Sequence, residues 1–158
     1  MSRGPVILLA AALATGCAAA SESGARLELG TGTIRFEPVE DGATLPLIRG
    51  AQGGWHVWIA VRAEGLESDG GMLSIEHQPA DESAPPVAAT LGVRFDPPDA
   101  EGRRSYLGWP AILADPSCAV GELLRVRATL TTPDGMQLAD ERHVLVGPGE
   151  HPPPPCTR

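Results

Sequence analysis

Apolar residues at every second position, in runs broken by tight-turn chemistry, constrain this chain more than any other feature. The strongest run is Trp55-His56-Val57-Trp58-Ile59-Ala60-Val61-Arg62, in which Trp55, Val57, Ile59 and Val61 share one face. Leu27 and Leu29 alternate with Arg26 and Glu28, and Ile34 and Phe36 with Thr33, Arg35 and Glu37. Leu91, Val93 and Phe95 repeat the pattern, and Leu124, Val126, Ala128 and Leu130 face away from Arg125, Arg127 and Thr129. Successive side chains of a strand point to opposite faces, so these runs read as strands packed on one side and wet on the other.

The intervals carry turn residues: Glu40-Asp41-Gly42, Ser68-Asp69-Gly70-Gly71, Asp96-Pro97-Pro98-Asp99 and Thr132-Pro133-Asp134-Gly135. In the last of these Pro133 presets its own backbone angle and Gly135 can take a positive one. The flanking runs, 122–131 and 136–146, are expected to form a hairpin. Outside the N-terminal segment no stretch long enough for a major helix shows a 3.6-residue period. Short strands with such turns indicate an all-β sandwich.

The body, residues 26–147, has the size of one domain with a modest core. Aromatic residues are scarce, so Trp55, Trp58, Trp109, Phe36 and Phe95 are expected to supply a disproportionate share of the buried area. Residues 148–158 hold the run Pro152–Pro155, which cannot enter a sheet interior and reads as an extended tail.

Residues 1–17 read differently. Arg3 supplies a positive charge, Pro5 to Leu13 are uncharged and apolar, and Leu13-Ala14-Thr15-Gly16-Cys17 ends small residues on a cysteine. This resembles a bacterial lipoprotein signal, which implies removal of 1–16 and acylation of Cys17 as the first mature residue. Ala14 departs from the commonest pattern, in which Leu stands three residues before the cysteine. The competing reading is a soluble secreted protein cut near Ala18–Ala20. A membrane-spanning anchor fits less well, because a span needs about 20 apolar residues. Residues 17–25 then form a lipidated end and a small, polar tether. Acyl chains contribute about 0.8 kcal/mol per buried methylene, so several of them hold a protein at a membrane durably. By the same resemblance, Ala18 after the cysteine favours the outer membrane.

With Cys17 assigned to lipid, Cys118 and Cys156 remain, and an even remainder in an exported chain suggests one disulfide tying the tail back. A bridge of that separation would stabilise the fold by about 3–4 kcal/mol. A redox or metal-binding thiol pair is the alternative, but C-x-x-C is absent.

The formal net charge is −8, and loss of 1–16 removes Arg3 and no acid, leaving −9. An acidic domain is a poor partner for nucleic acid and is repelled by anionic lipid headgroups, so any membrane attachment falls to the lipid. Lysine and asparagine are both absent, which reads as codon bias rather than a recognition device.

Chemistry could sit on the histidines. His56 follows Gly53 and Gly54 and shares a strand face with Trp58, and these four residues form a candidate binding patch in which the glycines admit a ligand to the backbone. The plainer reading has Trp58 packed on a neighbouring loop and His56 bonded to the glycine turn. His56, His77 and His143 fall on expected strands and are weak candidates for a copper-type site, since imidazole suits copper. No H-x-H, H-x-x-M or M-x-x-M spacing supports it, and no cofactor is expected. No G-x-S-x-G, H-E-x-x-H, phosphate-binding glycine loop or EF-hand pattern is present, so no catalytic residue is assigned, although triads assemble in space.

The segment Gly50-Ala51-Gln52-Gly53-Gly54-Trp55-His56-Val57-Trp58, with Val61-Arg62 and Gly65-Leu66, resembles uncharacterised exported lipoproteins of high-GC Gram-negative bacteria. So does Asp115-Pro116-Ser117-Cys118, followed by Gly121, Arg125-Val126-Arg127 and Asp140-Glu141-Arg142 before a terminal cysteine. The resemblance implies an immunoglobulin-like antiparallel sandwich of about seven strands and brings no established ligand. The expectation is a membrane-anchored, non-catalytic binding or envelope-structural module with an envelope protein or glycan as partner. A periplasmic metal-binding module and a hydrolase stand behind it.

Overall fold

In a computed structural model, residues 24–157 are described. They form β1 (Arg26–Thr31), β2 (Glu37–Pro38), β3 (Ala43–Pro46), β4 (Ile48–Arg49), β5 (Trp55–Glu64), β6 (Gly70–Pro79), β7 (Val87–Arg94), β8 (Arg104–Ile112), the single helical turn α1 (Pro116–Ala119), β9 (Leu123–Thr131) and β10 (Gln137–Gly147). Seven of these strands are six residues or longer, and together they build an all-β sandwich of two sheets.

The first sheet is centred on β5. On one side β5 pairs with β1 and β4, and β2 extends the sheet beyond β1; on the other side lies β8. The second sheet runs β3-β10-β9-β6-β7. The expected hairpin is there, with Leu138 opposite Leu130 and Val144 opposite Leu124. Its turn closes through Thr132 N to the Met136 carbonyl at 2.9 Å, with Gly135 at φ 88°.

Pairing is not antiparallel throughout. Strands β3 and β10 run parallel, Ala43 opposite Val144 and Gly147 opposite Pro46. The chain changes sheets between β2 and β3 and meets β10 only at the end of the domain, so no hairpin dictates their relative direction.

The core is mainly aliphatic: Leu29, Leu47, Ile59, Leu73, Ile75 and Leu130 are fully buried. Of the five aromatics expected to dominate it, Trp109 and Phe95 are buried, Trp55 packs at its rim, and Trp58 and Phe36 are only partly buried. Alternation on seven long strands supplies enough Leu, Ile and Val that aromatic bulk is not needed at the centre.

Two expected strand segments differ. Ile34 is 92% exposed in a tight loop that starts at Gly32 (φ 110°), and β2 keeps only Glu37 and Pro38. The loop folds Phe36 back over Gly30, so close that a Cβ on Gly30 would lie 2.5 Å from the ring. Leu91, although on the core-facing side of β7 opposite buried Leu73, is 41% exposed.

Candidate functional site

The Gly50–Gly54 segment is the turn between β4 and β5. Gly50 N donates to the Gly54 carbonyl at 2.7 Å, and Gly53 N to the Gly50 carbonyl at 3.0 Å. Gly53 sits at φ 95°, a conformation that favours glycine, so its presence is accounted for by the turn. Gly53 and Gly54 are both exposed, with open space at each missing Cβ.

On β5 the residues Val57, Ile59, Val61 and Ala63 fill the core, so His56 and Trp58 project from the outer face. His56 is nonetheless only 7% exposed. Its ring lies edge-on to Trp58, centroids 4.2 Å apart, and against the backbone of Gly50. Burial pushes its pKa below the usual 6.5, so the ring is neutral at pH 7. Its Nε2 is buried with no hydrogen-bond partner. A buried polar atom left unsatisfied costs about 1–3 kcal/mol, which marks the atom as a place where a partner would be gained.

Trp58 and the Thr31–Arg35 loop line one side of a shallow open recess. Thr31 Oγ1 donates to the Trp58 carbonyl at 2.6 Å and holds the loop beside the strand. Further along the same face, the Arg62 guanidinium lies 4.3 Å from the centroid of the Phe36 ring and pairs with Glu28 at 2.6 Å.

The C-terminal tail closes the other flank. Trp55 Nε1 donates to the His151 carbonyl at 3.2 Å, and the Arg49 guanidinium lies 5.6 Å from the Trp55 ring centre. Cys156 is then joined to Cys118, Cα atoms 4.7 Å apart, on the helical turn that Pro116 opens. Cys17 and the expected signal 1–16 lie outside the described residues.

The three candidate metal histidines occupy different surroundings. His77 is inside the sandwich on β6, where burial lowers its pKa and a hydrogen bond to the Ile112 carbonyl of β8 partly offsets that. His143 is on β10 beside Asp41, Nδ1 to Oδ1 3.8 Å, with 40% of its side chain exposed. His56 is on the outer face of the opposite sheet. Among the described residues no three His, Cys, Asp or Glu side chains come together in a way that could hold a metal ion.

Two features were not legible in the alternation. A recess of about 110 Å³ lies at one end of the sandwich between His77, Val87, Leu113, Ala119 and Leu124. Asp140 ties the sheets together at the opposite margin: its Oδ2 accepts from Leu29 N at 2.8 Å and its Oδ1 from Arg142 at 2.7 Å. The Asp140-Glu141-Arg142 cluster interrupts the alternation of β10, a signal for the clip. Comparison with family models, with curated proteins and with solved structures returned no match.

Proposed function

We propose that this chain is an exported lipoprotein, anchored through acyl chains on Cys17, whose sandwich is a non-catalytic binding or envelope-structural module. The observation that carries the reading is the order of features along the sequence. A charged, then apolar, then small-residue segment ends on Cys17, a short small and polar run follows, and β1 begins at Arg26. The Cys118–Cys156 bridge supports export, because such bonds persist in oxidising compartments. An envelope protein or glycan is the partner class that suits an acidic domain presented from a membrane, with the outer membrane as its site.

The test is acylation. Wild type and Cys17→Ala are expressed in a Gram-negative host with a clickable palmitate analogue and fractionated. Label on wild type alone, in the outer-membrane fraction, is the expected result; an unlabelled soluble wild-type product overturns the anchor.

A copper-type metal module is the second reading, favoured by the unpartnered Nε2 of His56 alone. Calorimetric titration with Cu(II) and Zn(II) separates the two, since the first reading expects no heat at micromolar affinity.

A further inference from the structure

The edges of the two sheets are not alike. In the first sheet, β2 and β4 are two residues long, and β2 contains Pro38. The outer margin of β8 carries Pro110, which has no N–H, and Gly108 at φ 72° where the register with β5 shifts. In the second sheet β3 has four residues and ends at Pro46. Short length, proline and bulges are the devices that keep a free edge from pairing with another chain.

Strand β7 has none of them. It runs eight residues in unbroken register with β6, from Val87 opposite His77 to Arg94 opposite Gly70. Residues 87–93 (Val-Ala-Ala-Thr-Leu-Gly-Val) contain no proline and no charge. Beyond β6, β7 has no other strand partner among the described residues. Seven of its eight residues are exposed, and Val93 alone is buried. Val87 and Leu91 point to the core side yet remain 43% and 41% exposed.

We infer that β7 is a self-association edge, on which β7 of a second copy pairs antiparallel about a two-fold axis at Thr90. A two-fold perpendicular to the sheet maps the core-facing side of one copy onto that of the other, so only registers that oppose residues of like facing are allowed. With Thr90 opposite its own copy, Val87 meets Val93, Ala88 meets Gly92 and Ala89 meets Leu91. The core-facing ladder is then wholly apolar, and small residues meet small ones on the other face, with Thr90 on the axis; Thr–Thr pairs across strands are favourable.

Charge on the paired strands does not oppose the same occupant. Two chains of formal charge −8 repel at a distance, but the paired residues carry none of it. Each Arg94 falls opposite the partner's Pro86 and keeps its own ion pair with Asp69 at 2.8 Å.

Seven paired residues span only about 23 Å at ~3.3 Å per residue, and one strand edge of that length buries much less than the ~800 Å² per partner of a stable interface. The pair is therefore a weak one that a covalent trap reads better than a sizing column. Directly opposed residues have Cα atoms about 4.5–5.5 Å apart, within the range a disulfide spans.

The test uses the full chain, oxidised in the cell fraction where it resides and run without reductant. Wild type is the control for dimers formed through Cys17. Thr90→Cys is expected to give about tenfold more dimer than Ala88→Cys, because Ala88 lies about 13 Å from its own copy in this register. Ala88→Cys with Gly92→Cys is expected to restore the dimer, and adding the exposed-edge change Ala89→Lys to Thr90→Cys is expected to abolish it. Equal dimer at all positions reports random collision and overturns the proposal. Monomer throughout, or Thr90→Cys joined only to other proteins, overturns a second copy as the occupant. None of these outcomes depends on acylation, which is scored separately with Cys17→Ala.

Discussion

The His77 ring of β6 lies within reach of the backbone carbonyl of Ile112 on β8, which favours its protonated form against the burial that opposes it. Ile112 is also the residue paired with His56 across β5 and β8. The two buried histidines therefore meet the same strand residue, His77 from the core side and His56 from the outer face.

Both rings are held neutral by burial, with pKa values below the unfolded 6.5. The unfolded chain therefore binds more protons as the pH falls through this range, and folding opposes that uptake. Stability should be fully present above 6.5 and lost as the pH drops toward and through the folded values. The limiting slope is about 1.4 kcal/mol per pH unit for each histidine. Thermal unfolding followed from about pH 8 down to 5 checks this, and His77→Gln should flatten part of the slope. A midpoint that rises on acidification would contradict it.

Removing the unpartnered nitrogen of His56 separates packing from binding. His56→Leu should be neutral or stabilising by about 1 kcal/mol, because an unsatisfied polar atom is replaced by apolar volume. His56→Ala should lose about 2 kcal/mol or more through the cavity left beside Trp58. Paired denaturant titrations measure both. If His56→Ala lowers stability yet leaves uptake of any identified ligand unchanged, the patch of Gly53, Gly54, His56 and Trp58 is structural.

Cys118→Ser or Cys156→Ser should cost about 4 kcal/mol, the loop-closure value for a sequence separation of 38. The tail that bonds Trp55 through His151 should also become accessible to protease. Limited proteolysis with mass detection, with and without reductant, reads this directly. Retention of an intact tail in the serine variants would show that its other contacts suffice.

Gly30→Ala should destabilise by about 1–3 kcal/mol, since the new methyl would lie 2.4 Å from the Glu37 carbonyl and 2.5 Å from the Phe36 ring. The Phe36–Arg62 stack should loosen with it. Trimming Phe36 to Ala in the same chain should rescue only part of the loss, because the Glu37 backbone still blocks the methyl. Additive losses in the double variant would show that the ring is not what confines Gly30.

Of the candidate site, the turn and the strand were readable in the residues, but the environment of His56 was not. Alternation places it outward, which predicts exposure; Gly50, Trp58 and the neighbouring strands nearly cover it. Ile34 failed for a related reason. Five alternating residues look like a strand, yet Gly32 turns the chain before they can pair.

Local chemistry alone determined the period-two strands, the Pro133–Gly135 hairpin and the proline tail, and setting Cys17 aside for lipid left the Cys118–Cys156 pair. Each depends on neighbours in the chain or on a simple remainder. Tertiary structure decided that β3 runs parallel to β10, that the His77 ring reaches Ile112 and that β7 stays exposed. Those outcomes depend on which segments from distant parts of the chain share a sheet, and on what lies over each of them. A side chain's facing is written in its own strand, whereas its burial is set by whatever the rest of the molecule lays over it.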